Sequence, residues 1–425
     1  MLSQIVGNAG FFIAVAILAR GLDPSARGTV AFITVAGIIV ARLAGFGIPQ
    51  ATIVFAAQRE QLRPAVLSTA LSFTLATATG LAAAVAVVLS IAGAPVSGIG
   101  SYELVLFCAG TVALALLEVV YSFFLGIARF GLRAGLITIV PWCYAVAVAA
   151  DSLAGGISSR SALADWAAAH LVGSSVVVAI ALSVGGRARP QLALLRESIS
   201  FGIRAWAGNL SFFLNFRADQ ILMGFLAADA ALGIYAVAVN GGEVILYLPA
   251  AIATAATPTI ARTAPGLRTA RTLGVLRGVL LVTIPSVIFG ALVGAPLLPV
   301  VFGSSYDEAV TPFLILLPGA IGFAALVVFT NALIADSAPG ASSAGAVVSL
   351  LVGLTLDVVL IPRFGAEGAA AAASAAFLAG GLASAVMYRI RSPFAWTELV
   401  PGRRDIDVVR ATGGAMLRQV GVGAR

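Results

Sequence analysis

The sequence contains no lysine, so each of its 25 basic residues is an arginine. A P-loop requires a lysine that contacts the nucleotide phosphates, and its absence argues against an ATP-driven pump in this chain. The single histidine, His170, leaves little from which to build a histidine-based metal site or a catalytic triad. The two cysteines, Cys108 and Cys143, lie within apolar segments and are expected to be small core residues, not a disulfide. We therefore predict no metal site and no cofactor.

Charge of either sign is scarce, because 10% of the 425 residues are charged and 60% are hydrophobic. A soluble domain carries roughly 25% charged residues. The mean hydropathy is +1.06, and lipid can solvate this much apolar sequence whereas a water-soluble fold cannot hide it. The formal net charge of +7 fits loops that face an anionic leaflet better than it fits a nucleic-acid partner. The composition predicts a polytopic, all-α membrane protein that binds no nucleic acid.

Twelve apolar runs are long enough to cross a bilayer, which takes about 20 helical residues. The predicted spans are 3–20, 28–57, 64–92, 103–128, 134–150, 165–184, 198–226, 230–260, 273–302, 309–335, 341–361 and 367–388. Gly45–Pro49 predicts a kink in the second span, since proline removes a backbone donor. Asp23 before Pro24 predicts an N-cap followed by the first helical residue. The first run lacks a basic segment and a cleavage site, so we expect a retained span.

The arginines predict the orientation in the membrane. Loops after spans 2, 4, 6 and 8 and the C-terminal tail hold seventeen arginines, whereas odd-numbered loops hold only Arg20, Arg27, Arg160 and Arg363. Basic loops stay on the cytoplasmic side of bacterial membranes. We therefore expect a multi-pass protein of the bacterial cytoplasmic (inner) membrane with both termini in the cytoplasm.

A short internal repeat suggests two related halves. Gly7–Phe12 (GNAGFF) recurs as Gly208–Phe213 (GNLSFF), and Leu22 with Gly28 is matched by Leu226 with Gly233. Chance similarity remains the alternative for so short a match in an apolar sequence. Parallel six-span repeats with a site at their interface are typical of transporters. We predict two pseudo-symmetric six-helix bundles, 1–190 and 191–392, followed by a cytoplasmic tail, 393–425.

Several short stretches, in order along the chain, carry a resemblance to a known family. They are Ile17–Arg20 with Arg27–Gly28, Phe216–Leu222, Leu232–Ala236, Phe302–Gly303 with Tyr306 and Ala309, and Ile361–Ala370. Together they resemble the polysaccharide transporter (oligosaccharide flippase) family of the multidrug/oligosaccharidyl-lipid/polysaccharide exporter superfamily. The resemblance implies a V-shaped pair of six-helix bundles that moves a lipid-linked oligosaccharide across the inner membrane. Members usually begin with a short basic segment, whereas only Met1 and Leu2 precede Ser3 here, which leaves the first helix boundary open.

Arg42 is the most informative charged residue, because it falls near the middle of the second span with no acidic neighbour in that span. An ionisable group at this depth costs at least ~2.5–3.5 kcal/mol on insertion scales, so it needs a partner, water or a function. Arg42 is predicted to bind a phosphate in a central cavity. The alternative is a structural ion pair with Glu118 or Glu243 from another helix.

Three further residues are candidates for the same site. Arg217, two residues before Asp219, is predicted to bind substrate or to have a structural role, since residues two apart do not share a helix face. Arg204 either faces the cavity or extends to the cytoplasmic boundary. Glu243, near the middle of span 8, is the candidate for a proton- or cation-coupling carboxylate, with a structural pair to Arg42 as the alternative.

The leading functional hypothesis is a flippase for polyprenyl-pyrophosphate-linked oligosaccharide that works by alternating access in surface polysaccharide assembly, in the bilayer beside glycan-assembly proteins. Arginines would hold the pyrophosphate, bidentate where geometry permits. The nearest alternative is a multidrug-type cation antiporter. A membrane enzyme of polysaccharide assembly is a weaker alternative, since the longest outer loop, 151–165, has no recognisable catalytic group set. A non-transporting scaffold is opposed only by the charges within the spans.

Overall fold

The computed structural model describes residues 2–336, 338–402 and 405, and within these the side chains except those of residues 2–5, 204, 205, 207, 208 and 339. The regular structure of the described residues is helical throughout. The α-helices are α1 (Leu2–Gly21), α2 (Pro24–Ala44), α3 (Ile48–Gln58), α4 (Arg63–Ala92), α5 (Ser101–Gly126), α6 (Phe130–Ala154), α7 (Ser159–Gly185), α8 (Leu192–Leu214), α9 (Ala218–Leu226), α10 (Asp229–Arg262), α11 (Pro265–Phe289), α12 (Ala295–Phe302), α13 (Val310–Leu316), α14 (Gly319–Ala335) and α15 (Pro339–Arg391).

The predicted all-α membrane fold is confirmed, and each predicted span coincides with a helix, a bent helix pair or one arm of α15. Within the described residues, eight helices are long and apolar enough to cross a bilayer, and one bent pair, Ser304–Leu316 with Gly319–Ala335, makes nine. Large apolar side chains such as Ile91 and Leu153 are 81% and 90% exposed, as expected of surfaces that meet lipid.

The loop between Leu22 and α2 is shorter than predicted, because α2 is capped at its first turn. Asp23 accepts hydrogen bonds from the backbone amides of Ser25 and Ala26 at 2.8 and 3.0 Å, which confirms the predicted N-cap. Arg27 therefore lies inside α2 with a buried side chain, 5% exposed, and its assignment to a loop was wrong. The outer loop predicted over 151–165 is also shorter, since α6 continues to Ala154 and α7 begins at Ser159.

The 53-residue helix α15 is a tight antiparallel hairpin. Gly365 has a φ of 54°, the left-handed region that favours glycine, and it is the non-helical residue inside α15. Contacts of Gly345 with Ser384, of Gly380 with Ser349 and of Gly353 with Ala376 join residues whose distances along the chain from Gly365 differ by one position. This confirms the turn predicted between spans 11 and 12.

The chain divides into two compact units. The first comprises Met1–Val237 with Val301–Tyr306, and the second Ala238–Val300 with Asp307–Arg425. In the first unit α5 is central and packs against α2, α3, α4, α6 and α7, with Phe107, Phe123 and Phe124 fully buried. In the second unit α14 packs against α15 and α11.

Gly28 and Gly233, which occupy equivalent positions in the internal repeat, lie against each other within the first unit. A Cβ at Gly28 would lie 2.0 Å from the carbonyl oxygen of Asp229, four residues before Gly233. A Cβ at Gly233 would lie 1.9 Å from the carbonyl oxygen of Pro24, four residues before Gly28. The start of α2 and the start of α10 therefore cross in a reciprocal backbone contact that requires glycine on both sides.

Candidate functional site

A break in the second span places Arg42 roughly half-way between Pro24 and Gln58. The helix ends at Ala44 and resumes at Ile48, so the predicted kink is present. Gly47 has a φ of 81°, and a Cβ there would lie 2.2 Å from the carbonyl carbon of Gly202 in α8. Gly47 is therefore required both by the backbone conformation and by the close approach of α8.

Arg42 is ion-paired with Glu118 of α5. Its Nη2 atom lies 2.8 Å from Oε1 of Glu118, and its guanidinium carbon lies 5.2 Å from the ring centre of Phe213. The Arg42 side chain is 46% exposed, whereas that of Glu118 is 20% exposed. Of the two acidic partners that the sequence left open, the structure thus joins Glu118 to Arg42, and the arginine is the more accessible member.

Aromatic side chains surround the backbone of the break. The indole nitrogen of Trp206 donates a hydrogen bond to the carbonyl oxygen of Arg42 at 3.0 Å. The Trp206 ring stacks on Phe46, with centroids 5.8 Å apart and planes at 17°, and Phe46 meets Phe73 edge to face. At the break the amide of Phe46 donates to Leu43 and the carbonyl of Arg42 keeps only a long backbone bond, 3.4 Å from the amide of Gly45, so Trp206 gives this carbonyl a second donor.

Arg217 lies at a second break, between α8 and α9. Its Nη1 atom donates to the carbonyl oxygen of Phe216 at 2.8 Å. Asp219, one residue into α9, is 8% exposed and accepts hydrogen bonds from the hydroxyl of Tyr235 and from the backbone amide of Gln220. Asp219 is therefore engaged by groups other than Arg217, as the two-residue spacing predicts.

Two other candidates stay predictions. Arg204 belongs to α8, but its side chain lies outside the described residues. Glu243 belongs to α10 in the second unit. Among the described residues no group of three or more His, Cys, Asp and Glu side chains is placed to hold a metal ion.

A second arginine–carboxylate pair lies just outside the predicted spans 28–57 and 198–226. Arg59 donates two hydrogen bonds to Glu197, one of them 2.7 Å long, and its guanidinium carbon lies 4.3 Å from the ring centre of Phe55. Hydrogen bonding by Arg59 holds the pKa of the Glu197 carboxyl below its ordinary value. This pair joins the end of α3 to the first turns of α8.

Sequence reasoning missed Trp206, Phe46 and Phe213. The sequence did contain a signal for Trp206. A helix break within a span leaves carbonyls that need a donor, and the indole of Trp206 is a donor within another span. Which span supplies the donor depends on helix packing, which no local pattern specifies.

A family model described as "Polysaccharide biosynthesis protein" matches residues 17–311. The chain belongs to this family. No curated protein sequence matches it. Among solved structures, the chain is similar to the lipid II flippase MurJ in its inward closed conformation, with a TM-score of 0.79, 11% identity and coverage of 99% of this chain and 92% of that one.

Two further solved structures, both described as transporters of the MOP superfamily, share the fold. An inward-facing multidrug resistance MATE family transporter has a TM-score of 0.72 at 13% identity, covering 90% of this chain and 94% of that one. A superfamily transporter from Pyrococcus furiosus, described as having a binding pocket of reverse polarity, has a TM-score of 0.58 at 12% identity, covering 92% and 95%. This chain therefore has the fold of these membrane transporters, as its sequence resemblance implied.

Proposed function

We propose that this protein is a flippase that moves a polyprenyl-diphosphate-linked oligosaccharide across the bacterial cytoplasmic membrane by alternating access. The observation that carries the proposal is Arg42, whose guanidinium is half-exposed at a helix break in the middle of a span. Arginine presents a planar fork of donors that matches phosphate oxygens, and although Glu118 is its ion-pair partner, Arg42 is the more accessible member of the pair. Membership of a polysaccharide biosynthesis family supports a glycan-bearing lipid as the substrate.

The two halves of this transporter would be the bundles 1–190 and 191–392, related as parallel repeats. The reciprocal contact of Gly28 and Gly233 supports this proposal, because a two-fold relation between the repeats would bring equivalent positions together on its axis. Arg217 and Arg204 are proposed as further diphosphate ligands and Glu243 as a coupling carboxylate. Both termini are proposed to lie in the cytoplasm, near proteins of glycan assembly.

A multidrug-type cation antiporter is the second candidate, and one observation favours it. Glu118 neutralises Arg42, and the aromatic rings of Trp206, Phe46 and Phe213 beside the pair would also suit an organic cation. In this case Arg42 has only a structural role.

Loss of the gene distinguishes the two functions. If the protein is the flippase, its loss leaves lipid-linked oligosaccharide on the inner leaflet and removes surface glycan. If surface glycan stays normal and sensitivity to cationic drugs rises, the flippase function is rejected and the antiporter function is supported. Complementation with Arg42→Ala should fail at normal protein abundance, and Arg42→Lys should restore part of the activity because it keeps charge but not the planar fork. Arg129→Ala, an exposed arginine at the start of α6, is the matched control that should complement fully.

A further inference from the structure

The Arg42–Glu118 pair is open on the arginine side. The guanidinium is 46% exposed and the carboxylate 20% exposed, with 2.8 Å between their nearest atoms. An anion that approaches the pair therefore meets Arg42 first. Glu118 lies against the Nη2 atom, so a phosphate that binds Arg42 bidentately through the same N–H groups competes with Glu118 for them.

Few other charges face Glu118 from the helices that pack around α5. On α2 the facing group is Arg42 itself. The nearest ionisable groups along α6 and α5 are bound elsewhere: Arg133 donates from Nε to the carbonyl oxygen of Tyr121 at 3.2 Å, and the phenol of Tyr121 donates to the carbonyl oxygen of Leu136 at 3.3 Å. Arg133 is thus committed to the backbone at the end of the bundle.

The remaining neighbours of α5 offer no second counter-charge at this level. Helix α3 has no ionisable side chain, and α4 has none beyond Arg63, which is paired with Glu60 at 2.6 Å. Helix α7 has none after His170. The charge of Glu118 is therefore balanced by Arg42.

We propose that a diphosphate anion displaces Glu118 from Arg42 and that the freed carboxylate takes up one proton, so that substrate and proton bind together at this site. The inference rests on the proposed function, since it requires that Arg42 binds the diphosphate. A carboxylate that has lost its cation in a low-dielectric surrounding becomes neutral instead of staying charged. The proton comes from the surrounding water, and no bond other than the new O–H of Glu118 is formed.

The balance of charge at the site determines the direction in which the proton moves. The empty site holds one positive and one negative group, and the loaded site holds Arg42, the anion and a neutral Glu118. A proton therefore enters with the substrate and leaves with it. The net negative charge that crosses the membrane is one less than the charge of the substrate.

The test measures binding of a short-chain prenyl diphosphate whose far phosphate is esterified to N-acetylglucosamine. Neither phosphate of this probe titrates near neutral pH, so a pH effect reports on the protein. Purified full-length protein should bind it about tenfold more weakly for each unit of pH increase, between about pH 6 and about pH 8. Calorimetry in buffers of different ionisation enthalpy should show uptake of about one proton per bound molecule.

Three variants complete the experiment. Glu118→Gln, which imitates the protonated side chain, should bind the probe without proton uptake and independently of pH. Glu118→Asp should keep both effects, which excludes a merely structural role. Glu197→Gln breaks the separate Arg59–Glu197 pair and should behave as the wild type in this assay.

The outcomes separate the two proposals. If the wild type binds the probe without taking up a proton, or if Glu118→Gln keeps the pH dependence, the inference is overturned and the flippase proposal stands. If no form of the protein binds the probe, Arg42 is not a diphosphate ligand and both fail.

Discussion

The contact of Gly28 with the start of α10 predicts a large cost for adding one methyl group. A Cβ at residue 28 would lie 2.0 Å from the carbonyl oxygen of Asp229, whereas carbon and oxygen atoms in contact are about 3.3–3.6 Å apart. The two helices must therefore separate locally by more than about 1 Å. Overpacking of this kind costs about 1–3 kcal/mol, and the upper end is expected because the obstructing atom is backbone.

Gly80→Ala is the matched control. Gly80 lies in α4 with nothing within 4 Å of its Cβ position, so alanine there should stabilise the helix by about 0.5–1 kcal/mol. The unfolding midpoint of purified protein in one detergent should fall for Gly28→Ala and stay level or rise for Gly80→Ala. Gly28→Ala with Gly233→Ala should cost less than the sum of both, since one separation admits both methyl groups. Equal midpoints for Gly28→Ala and Gly80→Ala would show that the two helices do not meet as described.

Three further predictions concern the cap, the Arg59–Glu197 pair and the topology. Asp23→Ala removes two hydrogen bonds at the start of α2 and should lower stability by about 1 kcal/mol in the same detergent assay, whereas Asp23→Asn should not. Glu197→Gln should lower the unfolding midpoint slightly near neutral pH. Because the pKa of Glu197 is depressed in the folded state, its pair with Arg59 stabilises the protein above the unfolded-state pKa, and this contribution is lost as the pH falls through the folded-state pKa. A difference between variant and wild type that persists in acid would contradict the role of Arg59. In a cysteine-free background, an impermeant thiol reagent on intact cells should label Ser158→Cys and not Arg189→Cys, and the reverse pattern would invert the topology.

Features with local causes were predictable from the sequence. Span lengths, the Asp23 cap, the kink at Gly45–Pro49 and the turn between the last two spans each depend on residues within a few positions of one another. Breaks and caps follow from which backbone groups lack partners and which φ angles glycine permits, so a short stretch of sequence contains the necessary information.

The candidate site was only partly predictable, because it depends on which helices are neighbours. Arg42 was recognisable by its depth, but the choice of Glu118 as its partner follows from the packing of α5 against α2. Arg27 was placed in a loop because the second span was predicted to begin at residue 28, yet its side chain is buried within the first turns of α2. In an alanine- and glycine-rich membrane protein many helix pairings satisfy the same hydrophobic pattern, so long-range partners remain unspecified.

The hairpin of α15 has a consequence for how the protein enters the membrane. With Gly365 as the turn, the two arms are joined by a tight connection flanked by the exposed Arg363 and Glu367, and not by a long hydrophilic loop. The second arm, from Ala366 onward, is rich in alanine, which drives insertion less than the valine, leucine and isoleucine of the first arm. We expect the second arm to depend on the first for insertion, so that residues 366–391 fused alone to a glycosylation reporter should insert poorly and residues 339–391 well. The two helices of the hairpin would then insert in one step, and a mutation that impairs insertion of the first arm would leave the second arm outside the bilayer.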